Sequence, residues 1–164
     1  MTLSLLKHIL LVLMITPLLL YCGDDTPGND RVEPKQQKGR QIEPEEQVII
    51  YDSDQEIARV DVALARTESE RNTGLMNVYE MPFDTGMLFI FDDEQPRSFW
   101  MVNTPISLDI LFLNRHREIV RIRTNTTPFS ERQVTSELPA QYVLEVNAGF
   151  CREHDIREGM RMDW

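Results

Sequence analysis

Cysteine is nearly absent from this chain: Cys22 and Cys151 are the only two among 164 residues. If Cys22 is consumed as an acylated residue, Cys151 stands alone and no internal disulfide is possible, whatever the redox compartment. Histidine is almost as scarce. His116 and His154 are the only two beyond the first segment, which gives a His-based catalytic triad little to build on. There is no CxxC or HxxxH spacing, no glycine-rich phosphate loop and no nucleophile elbow, so no cofactor is indicated. Basic charge is short as well, with Lys+Arg 17 against Asp+Glu 27 and a formal net charge of -10. A phosphate-backbone partner needs a basic surface, so nucleic acid is excluded as a partner, and docking on anionic lipid is disfavoured.

A long apolar run is also lacking. The stretch Ile9 to Leu20, preceded by Lys7 and His8, is too short to span a bilayer comfortably and has the layout of an export signal. It ends in Leu19-Leu20-Tyr21-Cys22, which resembles a bacterial lipobox, with Tyr21 in place of the usual small residue. The expectation is a lipoprotein signal over 1–22, with Cys22 acylated and the protein held on the cell envelope by its lipid. An uncleaved anchor or an ordinary secretory signal is the other reading. Residues 23–46 are rich in Gly, Pro, Asp, Glu, Gln and Lys, and read as a disordered tether.

The folded domain is expected over 47–164. Val48 to Tyr51 and Ile57 to Ala65 read as strands around an Asp52-Ser53-Asp54 turn. Thr67-Glu68-Ser69-Glu70 fits a capping box that opens a short helix through Arg71 to about Met76. Met87 to Phe91, Ser98 to Asn103, Leu108 to Leu113 and Glu118 to Thr124 are strand-like, with turns at 92–97, 104–107 and 114–117. A looser polar region follows over 125–139. Then comes a strand from Tyr142 to Asn147 and a possible helix over 150–156. Short strands and one or two short helices predict a mainly β fold, a compact jelly-roll-like sandwich or small barrel, with α+β as the alternative.

Several of these segments together resemble the domain-of-unknown-function (DUF) family 192. They are Arg71-Asn72-Thr73-Gly74-Leu75-Met76, Gly86-Met87-Leu88-Phe89-Ile90-Phe91, Phe99-Trp100-Met101-Val102-Asn103-Thr104, Leu108-Asp109-Ile110-Leu111-Phe112 and Tyr142-Val143-Leu144-Glu145-Val146, followed by Ala148-Gly149. They arrive in the family's order and cover roughly Ile57 to Met162. The resemblance implies a compact β-rich fold and no established activity. Pro105 stands earlier than the family's proline, and Met160 follows Gly159 where the family often has Asp.

Asp109 is the most telling polar residue, because the run around it is otherwise apolar. Alternation puts it on the face of Leu111 and Leu113. Arg71, Arg97, Asn103 and Thr104 are candidate partners. Either it is a binding or catalytic carboxylate in a pocket, or it ties the neighbouring loop in place. Trp100 is either a platform for a flat ligand or core. The expected binding pocket is therefore Arg71, Trp100, Asn103, Thr104 and Asp109, in a non-enzymatic envelope module for an unknown envelope ligand or protein. Two alternatives stand beside it. One is a small hydrolase or transferase using Asp109 and Glu145 as acid and base. The other is a soft-metal binder using Met76, Met81, Met87 or Met101, since thioethers suit Cu(I).

Overall fold

The computed structural model describes residues 39–164. The expected signal over 1–22 and the expected tether as far as residue 38 lie outside the described residues. The elements run β1 (Glu46–Asp52), β2 (Gln55–Ala65), α1 (Glu68–Thr73), β3 (Thr85–Phe99), β4 (Leu108–Leu113), β5 (Ile119–Arg123), β6 (Val134–Asn147), α2 (Phe150–Glu153) and β7 (Arg161–Asp163). The strands form one sheet in the order β5-β4-β6-β3-β2-β1-β7. Only β2 and β3 pair in parallel, and α1 lies in the crossover that such a pair requires. The sheet curls into a half-barrel, and a bridge between Glu118 and Arg161 draws its two edges together. The mainly β fold with two short helices is thus found, in its barrel-like rather than its sandwich form.

The curl explains the hydrophobic patterning. One apolar cluster takes residues from every strand, among them Val48, Val60, Leu88, Leu111, Ile119, Leu144 and Met162, which places it inside the curl. A second cluster lies on the opposite face, where Met87, Phe89, Ile110, Phe112 and Val143 are covered by Leu75, Val78 and Met101 from the connecting loops. All six residues of β4 are buried. A strand covered on both faces reads as a continuous apolar run, which is why Leu108 to Leu113 shows no alternation.

Several boundaries differ from expectation. The capping box forms, with Glu70 N donating to Thr67 Oγ1 at 3.3 Å and Thr67 N donating to Glu70 Oε2 at 2.8 Å. The helix starts at once and ends at Thr73, because Gly74 takes a φ of 45° and donates its N–H to Glu70 O at 2.8 Å. The two strands expected over 87–91 and 98–103 are one long strand, β3, broken by irregularities between Ile90 and Gln95 and between Pro96 and Ser98. The polar stretch 92–97 resembles a turn but is an irregular length of strand, and the chain leaves the sheet at Trp100. Much of the expected loose region over 125–139 is the first half of β6. At the other end, β7 adds an edge strand where no element was expected. Residues 39–45, read as tether, lie against the domain: Arg40 N donates to Asn77 O at 2.7 Å and Glu45 N to Val62 O at 2.8 Å.

Candidate functional site

Asp109 lies inside the curl with no exposed surface. Its register partner is Val146, a residue of the interior cluster. Oδ1 accepts from Asn125 N at 2.9 Å, and Oδ2 accepts from Gly149 N and Cys151 N, both at 3.0 Å. The carboxylate therefore holds the start of α2 and the loop after β5 against β4. None of the expected partners Arg71, Arg97, Asn103 or Thr104 is among its hydrogen-bond donors. Three backbone N–H groups satisfy the carboxylate, and Asp109 is not among the residues of the cleft lined by Arg71, Trp100 and Thr104. It is a loop tie, contrary to its expected place in the binding pocket. The arrangement also quiets Cys151, whose thiol is pushed up by burial first and then by the charge and hydrogen bond of Asp109. A thiol held protonated in this way is not a nucleophile.

Glu145 occupies the adjacent rung on the opposite face. Its register partners are Met87 on β3 and Ile110 on β4, both in the second cluster. The side chain is 4% exposed. Among the described residues no donor reaches its carboxyl group, and burial alone raises its pKa from 4.5 to about 8. An isolated ionised carboxylate is costly in an apolar setting, so the group stays largely protonated at neutral pH. Because Asp109 and Glu145 point to opposite faces, they cannot act on one substrate, and the acid–base pair suggested by the sequence is ruled out.

Glu145 opens onto a cleft of about 640 Å³ between α1 with its following loop, β3 and the segment after it. Arg71, Trp100 and Thr104 line the same cleft, so three of the five expected pocket residues are brought together. Asn103 is not among the lining residues. It is exposed, takes a φ of 55°, and its carbonyl accepts from Asn77 N at 2.8 Å. Trp100 is 57% exposed, so it is not a core residue.

The cleft wall contains residues that the sequence did not single out. Phe89, Phe91 and Phe99 form an edge-to-face group, with ring centroids 5.0 Å apart for Phe89–Phe99 and 6.4 Å for Phe91–Phe99. The guanidinium of Arg97 sits 3.9 Å from the Phe91 centroid, and that of Arg71 sits 5.0 Å from it. Arg97 is buried and neutralised, donating Nε to Ala140 O at 3.0 Å and Nη2 to Asp93 Oδ1 at 2.7 Å. Arg71 Nη1 donates to Ile90 O at 2.9 Å and to Arg66 O. The alternation of Phe89, Phe91 and Phe99 along one strand was the available signal for this wall.

Among the described residues, no group of three or more His, Cys, Asp or Glu side chains is placed to hold a metal. Met87 and Met101 are buried in the second cluster, Met81 packs partly against it, and Met76 stands on the cleft wall. Among the described residues, no helix is long and apolar enough to cross a membrane.

A curled β half-barrel with an acid-floored, aromatic-walled cleft on its outer face defines the class of scaffold. The chain belongs to the DUF192 family, described as "Uncharacterized ACR", whose model matches residues 49–164. Two solved structures are similar. One, from Sinorhizobium meliloti 1021 and described as a "putative transcription regulator", shares 34% identity with a TM-score of 0.71, over 76% of this chain and 97% of that one. The other, a protein of unknown function from Novosphingobium aromaticivorans DSM 12444, shares 31% identity with a TM-score of 0.69, over 72% of this chain and 84% of that one. No curated protein matches the chain.

Proposed function

We propose that this protein is a cell-envelope lipoprotein, anchored through lipid on Cys22, whose domain binds a small ligand in the cleft floored by Glu145. It acts as a binding or accessory module. The observation that carries this reading is the carboxyl group of Glu145, buried, without a hydrogen-bond donor among the described residues and open to a cleft with Trp100 and Thr104 on its wall. Buried polar groups in folded proteins are paired, and one left unpaired at a cavity floor calls for a partner from outside. Cleft size and lining suit a small organic molecule: aromatic faces for contact area, a few polar groups for orientation. A nucleic-acid role, as the description of the Sinorhizobium meliloti relative suggests for that protein, gains no support from a chain of net charge -10.

Screening the full chain against a library of small envelope metabolites by thermal shift tests the cleft. At least one ligand should raise the midpoint, and Trp100→Ala should abolish the rise. A hit indifferent to Trp100→Ala moves the site elsewhere. For the anchor, Cys22→Ala should abolish labelling by a fatty-acid analogue and release the protein from the membrane fraction. Persistent labelling would place the lipid on another residue.

A further inference from the structure

The chemistry of the cleft restricts the kind of ligand it can hold. We infer that the cleft takes the cationic head group of a small ligand, a primary amine or a quaternary ammonium, against Glu145, with the apolar stem along Phe99 and Trp100. This rests on the cleft being a ligand site. The partner that gains most from meeting an unpaired buried carboxylate is a positive charge, because attraction in a dry site offsets the loss of water by both groups. Aromatic faces add to this, since a ring quadrupole attracts cations. The faces available are those of Phe99 and Trp100, because Phe91 is already covered by Arg71 and Arg97 and Phe89 is buried behind Phe99.

The charged groups that face Glu145 are Glu68 and Arg71 from α1 and Asp92, Asp93 and Arg97 from β3; the rest of the lining is uncharged. Arg97 and Asp93 cancel as an ion pair with N–O 2.7 Å. That leaves Glu68 and Asp92 against Arg71, whose guanidinium is spent on two carbonyls and a ring. With Glu145 ionised the cleft is net negative, in a chain of net charge -10 that draws cations towards it.

The test titrates the full chain with n-butylammonium, n-butanol and n-butyrate, which share a stem and differ in head charge. Binding is read by tryptophan fluorescence and thermal midpoint. The ammonium is expected to bind saturably and at least tenfold more tightly than the other two, and Glu145→Gln should weaken it at least tenfold. Its affinity should also rise with pH and level off above about 8, as Glu145 gives up its proton. An alkylamine of lysine-like pKa, about 10.4, stays charged through that range. The pH profile needs no variant, so it decides the matter even if Glu145→Gln folds poorly. Butyrate or butanol binding as tightly as the ammonium, no response to the ammonium, a flat pH profile, or unchanged binding in well-folded Glu145→Gln would each overturn the inference. A neutral or anionic library hit lost in Trp100→Ala would keep the cleft as a binding site while removing its cationic ligand.

Discussion

Two buried carboxylates on neighbouring rungs of one sheet meet opposite fates. Asp109 stands across from Val146, and Glu145 across from Ile110, so the two acids point to opposite faces. Their exposures are almost the same, 0% and 4%. Asp109 accepts three backbone N–H bonds, from Asn125, Gly149 and Cys151, whereas Glu145 accepts none among the described residues. Burial of an acid is therefore not what marks a site. The mark is the missing internal partner together with an opening to a cleft. A satisfied carboxylate is architecture, and an unsatisfied one keeps its bonding capacity for something that arrives.

The sharpest way to break this contrast is Asp109→Ala. It strips three backbone N–H groups, one buried and two partly buried, of their acceptor and should cost roughly 3–5 kcal/mol, read as a fall in the urea midpoint at unchanged slope. A cost below about 1 kcal/mol would mean that water or another group takes over and that the tie is dispensable. Glu145 should behave in the opposite sense. Its folded pKa lies above the ordinary value, so the folded chain keeps a proton that the unfolded chain releases. Stability is then lost as pH rises from about 4.5 and stops falling above about 8. The loss should be on the order of 5 kcal/mol in the unliganded protein. Glu145→Gln should remove that slope and be the more stable form in alkali. An unchanged slope in the variant would assign the titration to another group and cancel the distinction.

Much of this was legible in the sequence. The capping box and most strands are local patterns, and local patterns survive folding. The unbroken apolar run of β4 singled out Asp109, and alternation correctly put it on the face of Leu111 and Leu113. Which partner would meet it was not legible. The donors come from residues 16, 40 and 42 positions further along the chain, and backbone N–H groups carry no sequence signature. Glu145 was named only as a possible acid or base, and its burial was hidden for the converse reason. An acid alternating with apolar residues in a strand looks like one facing solvent, and only the loops that fold over the outer face bury it. The turn-like composition of 92–97 concealed the continuity of β3. Strand pairing with β6 overrides propensity there, and the irregularities at Ile90/Gln95 and Pro96/Ser98 absorb the misfit.

A smaller effect tests the rung that joins the two acids. Gly86 on β3 lies opposite Val146, which in turn lies opposite Asp109. A Cβ at Gly86 would stand 2.5 Å from the Glu145 carbonyl oxygen and 3.0 Å from Val146 Cγ1. Gly86→Ala should therefore push β3 from β6 and cost about 1–3 kcal/mol in chemical denaturation, with a loosened cleft as its second consequence. If the variant is as stable as its parent, the two strands have slack at this rung. Rigid placement of Glu145 would then not be part of how the cleft works.

Trp100→Ala should have the smallest effect on folding and the largest on binding. The ring is 57% exposed and stands where the chain has just left β3, so its removal takes little apolar surface out of the core. The expected change in stability is within about 0.5 kcal/mol, the range of ordinary surface substitutions. Phe99, the preceding residue, packs edge-to-face on Phe89 and Phe112 at 5.0 and 5.9 Å and should behave in the reverse way, as a wall residue whose loss is felt by the fold. An exposed tryptophan contributes little to the native state, so a large effect of Trp100→Ala on binding alone would place the role of the ring in a complex. Should Trp100→Ala unfold the domain as readily as Phe99→Ala, the ring is part of the core packing and the cleft loses its platform.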